Sequence, residues 1–291
     1  MKGIILAGGK GSRLYPMTKA VSKPLIPIYD KPMIYYPLSV LLQAGIREII
    51  VITAPPDLTA YQRLLGDGSQ FGVSISYGVQ KVARGIADAF LIAEEFIAGD
   101  RSCLVLGDNL FYGGNLEPLL HAAVERKTGA TVFGYPVKNA SAYGVVAFDK
   151  NHNVLSIEEK PAHPKSRFAV PGLYFYDENA AALAKTLTPS ARGELEITAL
   201  NELYLKQGKL HVELMGRGVA WLDTGTPEGM LNAAQYVEAV QTRQGLYIAC
   251  PEEIAWQQGF ITDEQLHALG QELKMTDYGQ YLLQLREKEE V

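Results

Sequence analysis

Through the first half of the chain, short apolar and β-branched runs at residues 3–6, 48–53, 73–77, 102–106 and 130–135 alternate with helix-length patterns at 33–43, 59–65, 87–96 and 116–127. A strand that is apolar throughout must be covered on both faces, and helices between strands let successive strands run in the same direction. The alternation therefore predicts an α/β core, a doubly wound and mostly parallel sheet. Near residue 145 the rhythm changes. Strand patterns at 145–148 and 154–158 flank a turn at 149–153, another lies at 172–176, and together they predict a β-rich lid or second lobe over the first. Helical patterns at 179–187 and 197–206, a strand at 210–214, a long helix at 227–242 and a helical tail at 263–273 and 278–285 complete the chain. No internal repeat or long linker interrupts it, which predicts one compact unit with a helical C-terminal appendage.

The first strand runs straight into Gly8-Gly9-Lys10-Gly11-Ser12-Arg13-Leu14, and Lys23-Pro24-Leu25 follows. A loop without Cβ atoms lets backbone N–H groups close around phosphate oxygens. Arg13 adds a planar cationic fork and Lys23 a point charge, so the ligand expected is a nucleoside triphosphate. Two common phosphate loops are excluded by spacing: Lys10 is followed by Gly11 where a Walker loop needs Ser or Thr, and Leu14 stands where a dinucleotide loop needs glycine. Alone, the loop would also suit an ordinary strand-to-helix turn.

Of the 291 residues 47% are hydrophobic and 20% charged, with a net charge of -5, which suits a globular chain and lacks the basic stripe of a nucleic-acid binder. Cys103 and Cys250 stand far apart, giving neither a disulfide framework nor a zinc spacing. The apolar run 4–7 is too short for a signal-peptide core, and no stretch is long enough to span a bilayer, so a cytoplasmic protein with no membrane and no nucleic-acid partner is expected.

Asp108 stands just past the apolar run 102–106, at the strand end where doubly wound sheets bind ligands. Asp223, in Trp221-Leu222-Asp223-Thr224-Gly225, also follows an apolar segment. Two carboxylates beside a triphosphate are what Mg²⁺ needs, although either Asp alone would also serve as a helix cap. Glu158-Glu159-Lys160-Pro161 ends a strand with groups that could hold sugar hydroxyls and a phosphate, or simply form a solvated strand end.

Together with Gly172-Leu173-Tyr174-Phe175-Tyr176-Asp177, Arg192-Gly193-Glu194-Leu195-Glu196-Ile197-Thr198 and the tail Pro251-Glu252-Glu253-Ile254-Ala255-Trp256, these motifs resemble the glucose-1-phosphate thymidylyltransferases over nearly the whole chain. The resemblance implies a Rossmann-like nucleotidyltransferase fold and the joining of dTTP and glucose 1-phosphate into dTDP-glucose and pyrophosphate, a supply step for deoxysugars such as rhamnose. It implies a catalytic domain at 1–242, with a nucleotide part at about 1–137 and a sugar-phosphate part at about 138–242, and an appendage at 243–291. Gly8, Gly11, Ser12, Arg13 and Lys23 would hold the triphosphate, Gln80 and Gly85 the base, Asn109 the nucleotide, and Asp108 and Asp223 the Mg²⁺. Tyr143, Gly144, Glu159, Lys160, Val170, Tyr174 and Arg192 would line the sugar-phosphate side, with Arg13, Lys23, Asp108, Lys160 and Asp223 carrying the catalysis.

Four positions depart from the family pattern. Pro24 replaces a usual glutamine, Arg84 an acid and Pro171 a threonine, leaving phosphate and metal positions intact but touching base and sugar choice, with UTP the next candidate. Gln257 stands where an arginine is usual, in the tail that the resemblance associates with a second, nucleotide-sugar effector site and a homotetramer. A metal-dependent glycosyltransferase would need no cations around a triphosphate tail, and a non-catalytic regulatory relative would not need all of Arg13, Asp108, Lys160 and Asp223.

Overall fold

The computed structural model describes residues 1–9 and 11–289, the last four of these by their backbone alone. Fourteen strands occur among the described residues: β1 (Lys2–Ala7), β2 (Pro27–Ile28), β3 (Lys31–Pro32), β4 (Glu48–Thr53), β5 (Ser74–Val79), β6 (Ser102–Leu106), β7 (Asn109–Tyr112), β8 (Ala130–Pro136), β9 (Gly144–Phe148), β10 (Val154–Glu159), β11 (Phe168–Ala169), β12 (Leu173–Tyr176), β13 (Leu210–Leu214) and β14 (Ala220–Asp223). Ten of them form one sheet in the order β10-β9-β11-β8-β12-β6-β1-β4-β5, with β13 beside β8.

The block β5-β4-β1-β6 is parallel throughout, as the strand–helix alternation predicts. Ile4 lies level with Ile50 and Leu104, and Ile5 level with Val51 and Val105. Alternate side chains leave a strand on opposite faces, and these two rows enter two different buried clusters. Both faces are therefore covered, which is the physical content of double winding. Beyond β6 the pairing changes: β12 inserts between β6 and β8 and is antiparallel to both. The β-rich segments thus extend the edge of the same sheet instead of folding over it. One helical pattern also breaks, because 87–96 forms two short helices, Asp88–Ile92 and Glu94–Ile97, on either side of Ala93.

The long helix Pro227–Gln244 has proline in its first turn, a Thr226 side chain accepting from Gly229 N–H, and Gly245 in the left-handed region at its end. Three tail helices follow, Pro251–Gln257, Asp263–Glu272 and Asp277–Glu289. Ile254, Ala255, Leu266 and Leu282 share a buried cluster with Ile5, Leu38 and Val51, so the tail is packed on the parallel half. Cys103 and Cys250 are buried free thiols, and no helix among the described residues is long and apolar enough to cross a membrane.

Candidate active site

The glycines after β1 serve different purposes. Gly11 adopts φ 58, which only glycine enters at no cost, and Thr18 closes over it with its hydroxyl donating to the Gly11 carbonyl at 2.7 Å. A Cβ on Gly8 would meet Gln80 Oε1 at 2.6 Å, so this glycine makes room for a side chain. Around Gly9 nothing would meet a Cβ within 4 Å, leaving its backbone open to a ligand. Lys10, quoted above against a Walker loop, lies outside the described residues.

Asp108 and Asp223 are brought together by a ribbon that sequence patterns do not reveal. Strands β7 and β14 pair antiparallel with Asp223 opposite Asn109, and the Thr224 hydroxyl donates to the Asp108 carbonyl at 2.8 Å. Lys23 Nζ lies 2.7 Å from Asp108 Oδ2, and Asn109 Nδ2 donates to Asp108 Oδ1 at 3.0 Å. Gly225 N–H donates to Asp223 Oδ1 at 3.0 Å. A Cβ on Gly225 would stand 3.4 Å from Arg13 Nη1, so glycine here lets the guanidinium lie beside the acid.

Two cavities adjoin at these residues. The first is walled by Gly9, Gly11, Ser12, Lys23 and Pro24, the second by Tyr143, Gly144, Glu159, Lys160, Val170, Tyr174 and Asp223, while Arg13, Leu106 and Asp108 line both. In the second, Glu159 Oε2 accepts from the Thr198 hydroxyl at 2.7 Å, which fixes the carboxylate over Gly144. Lys160 Nζ is 3.6 Å from Glu159 Oε1 and half exposed, on a backbone held at φ 42, a region costly for a side-chain-bearing residue. Burial pushes the Tyr174 phenol well above its ordinary range, so it stands as a neutral hydroxyl. Burial, then the Asp223 charge, raises Tyr143 as well.

Four expected site residues do not line either cavity. Gly8 and Gln80 stack behind the wall, with Gln80 Nε2 donating to the buried Asp88 at 3.0 Å. Gly85, at φ 102, lets Leu195 approach, since a Cβ there would meet the Leu195 carbonyl oxygen at 2.4 Å. Arg192 is held by Glu196 at 2.9 Å, and that hydrogen bond raises its pKa above the ordinary arginine value. Asn109 lines the second cavity, not the one beside the glycine loop. Sequence reading missed Thr198 and Trp221, which also line the second cavity, and Asp88, which holds Gln80. Trp221 and Asp223 alternate along one strand, a signal that a period-of-two reading would have carried.

No group of three or more His, Cys, Asp or Glu residues capable of holding a metal occurs among the described residues. Asp108 and Asp223 nevertheless line one cavity with hard oxygen donors, and such a pair suits Mg²⁺, which commonly takes one or two carboxylates and completes its shell with phosphates and water.

Residues 2–240 match the family model described as Nucleotidyl transferase. A glucose-1-phosphate thymidylyltransferase of Neisseria meningitidis serogroup A is 59% identical over 288 residues, covering 99% of this chain and 100% of that protein. One from Xanthomonas campestris is 56% identical over 287 residues, covering 99% and 97%. A crystal structure assigned as a Bacillus anthracis glucose-1-phosphate thymidylyltransferase, solved with sucrose, superposes with TM-score 0.75 at 43% identity, covering 81% of this chain and 94% of that one. A UDP-glucose pyrophosphorylase bound to UDP-glucose, 23% identical with TM-score 0.72 over 82% of this chain and 98% of its own, shares the fold.

Proposed function

The chain belongs to the nucleotidyl transferase family and, within it, to the glucose-1-phosphate thymidylyltransferases, and we propose that its two adjoining cavities carry the two substrates of that reaction, dTTP and α-D-glucose 1-phosphate. It is an enzyme, a nucleotidyltransferase that makes dTDP-glucose and pyrophosphate. The observation that supports this division is that Asp108 and Arg13 stand on the boundary between a wall of glycines with Lys23 and a wall with Glu159 and Lys160.

In this reading Gly9, Gly11 and Ser12 offer backbone N–H groups to the triphosphate, with Arg13 and Lys23 meeting its negative oxygens. Glu159 accepts from sugar hydroxyls while Lys160 holds the sugar phosphate. A phosphate oxygen of the sugar attacks the α-phosphorus in line and pyrophosphate leaves, so the bond made at phosphorus replaces the bond broken. No protein nucleophile is needed, because the attacking group is already an anion and the work is positioning and charge neutralisation. Asp108 and Asp223 would hold a Mg²⁺, which would draw off phosphate charge. The test is pyrophosphate release in a grid of nucleoside triphosphates against sugar 1-phosphates; a maximum away from dTTP with glucose 1-phosphate overturns the substrate assignment.

The same reading carries a homotetramer in the cytoplasm, with product feeding deoxysugars such as rhamnose, and a nucleotide-sugar effector at the tail. A cavity lined by Gln43, Tyr112, Tyr247, Glu253 and Gln257 lies between the tail and the helix Tyr35–Gln43. Light scattering on the purified protein tests the assembly.

A further inference from the structure

Asn109 is 5% exposed, and both ends of its amide are spoken for. Its Oδ1 accepts from Trp221 Nε1 at 2.7 Å and from Gly172 N–H at 3.0 Å. An indole and a backbone amide can only donate, so the atom facing them must be the oxygen. The Nδ2 end is thereby turned onto Asp108 Oδ1, 3.0 Å away. This amide cannot flip without facing two donors with a third, a cost that fixes its orientation.

Asp108 is consequently held at three points by different parts of the chain. Asn109 takes Oδ1, Lys23 takes Oδ2 at 2.7 Å, and the Thr224 hydroxyl takes the backbone carbonyl at 2.8 Å. Trp221 in turn stands edge-on between Tyr135 and Tyr143, with ring centroids 5.6 and 5.1 Å away. Tyr143 and Trp221 both belong to the wall of the second cavity. A continuous line of contacts thus runs from the sugar-phosphate wall through an indole and an amide to the carboxylate.

We propose that Asn109 and Trp221 are positioning residues for Asp108: the indole N–H locks the amide, and the amide locks the carboxylate in the orientation that receives the metal. This rests on the reading of Asp108 as a metal-binding acid. It gives Asn109 a role besides any nucleotide contact, which its occupied oxygen could not make and only the second Nδ2 hydrogen is left to make.

The experiment measures Mn²⁺ binding by electron paramagnetic resonance in the presence of dTTP, together with kcat and KM, for the parent and for Trp221→Phe, Asn109→Ala, their double variant and Asp108→Asn. Outer partners of metal ligands typically alter affinity or activity by about 10- to 100-fold, so that loss of Mn²⁺ affinity is expected for Asn109→Ala. Trp221→Phe keeps an aromatic ring and removes the N–H, so a loss of Mn²⁺ affinity of about 3- to 10-fold is expected. The double variant should bind Mn²⁺ no worse than Asn109→Ala, because both act through one amide. Multiplicative losses, or a rise in sugar-phosphate KM with Mn²⁺ affinity unchanged, overturn the proposal. Asp108→Asn separates the two levels: if it binds Mn²⁺ like the parent, the metal reading itself is wrong, whereas its loss alongside an unaltered Asn109→Ala sinks only the positioning role. Should Asn109→Ala fail to fold, Trp221→Phe decides, since it leaves the amide and its Gly172 contact in place.

Discussion

The Lys23 ammonium, with 8% of its side chain exposed, rests 2.7 Å from Asp108 Oδ2. The two charges neutralise each other, and a triphosphate would offer the lysine other anions while freeing carboxylate lone pairs for a metal. Among the described residues Asp223 forms no ion pair of that kind, although the Arg13 guanidinium lies on the other side of Gly225; its Oδ1 accepts from the Gly225 amide. Asp108→Asn and Asp223→Asn are each expected to lower turnover by roughly 10²-fold or more. They should differ in stability, because only Asp108→Asn strands a buried ammonium. Steady-state rates and thermal midpoints check both statements. Near-parent turnover of Asp108→Asn across a range of Mg²⁺, or equal midpoints for the two variants, would count against this account.

Lys160→Ala should impair use of the sugar phosphate and spare dTTP. A charge-assisted hydrogen bond to phosphate is worth about 1.5–3 kcal/mol, or roughly 10- to 150-fold in apparent affinity. Separate KM determinations check it, and equal weakening for both substrates would remove Lys160 from the sugar side.

Base choice is expected to follow from a buried carboxylate. Asp88, 1% exposed, accepts from Gln80 Nε2 at 3.0 Å and from Arg84 Nη2 at 2.7 Å. A carboxylate can only accept, so Gln80 turns its oxygen toward Gly8 behind the cavity wall; that oxygen would suit the N3–H shared by thymine and uracil, but not the lone pair of cytosine N3, once nucleotide binding shifts this part of the wall. The expected order is dTTP, then UTP, then CTP. Asp88→Asn frees the amide to turn and should narrow the dTTP-to-CTP ratio of kcat/KM by about 10-fold. An unchanged ratio would show that Gln80 does not read the base edge.

Local pattern carried the fold a long way and the site less far. The strand at Glu48–Thr53 and the helix at Ile197–Lys206 fall where hydrophobic spacing places them, because the strand is buried on both faces and the helix buries a single stripe. What local pattern lacks is partnership. That β12 enters between β6 and β8, or that β14 pairs with β7 across more than a hundred residues, is set by tertiary packing. Arg84 shows the same limit in the site. In the chain it is an acid replaced by a base; in the fold it neutralises Asp88.

Glu252, 5% exposed, receives the Tyr278 hydroxyl at 2.5 Å, and burial is the largest influence on it, raising its pKa above the ordinary carboxylate value. A carboxyl whose pKa is higher folded than unfolded binds protons more readily in the fold. Its contribution to stability is therefore fully present below the unfolded pKa, near 4.5, and declines as pH rises through the folded value. Glu252→Gln keeps an oxygen for Tyr278 and removes the ionisation. Its thermal midpoint should exceed that of the parent at pH 8, with the advantage shrinking toward pH 4.5. Midpoints across that range check it; a constant offset between the two proteins would mean Glu252 does not ionise differently on folding.

Feedback control should be weak in this enzyme. In the tail cavity Gln257 Nε2 lies 3.5 Å from Glu253 Oε1, and Glu253 in turn accepts the Tyr281 hydroxyl at 2.9 Å. None of the described residues lining that cavity is a lysine or arginine, and Arg217 is not part of the wall. A nucleotide diphosphate entering would meet the Glu253 carboxylate and, at Gln257, an amide in place of a guanidinium. The missing charge-assisted contact corresponds to about 1.5–3 kcal/mol, or roughly 10- to 150-fold in effector affinity. Gln257→Arg restores a guanidinium four residues after Glu253 on the helix Pro251–Gln257, where the acid would orient it without the pair being buried. Inhibition by dTDP-rhamnose should strengthen by about that factor while uninhibited turnover stays put, because Gln257 touches neither substrate cavity. Inhibition curves for the two proteins decide it. Strong inhibition of the parent, unmoved by the substitution, would mean that the effector's phosphates are held somewhere other than this cavity.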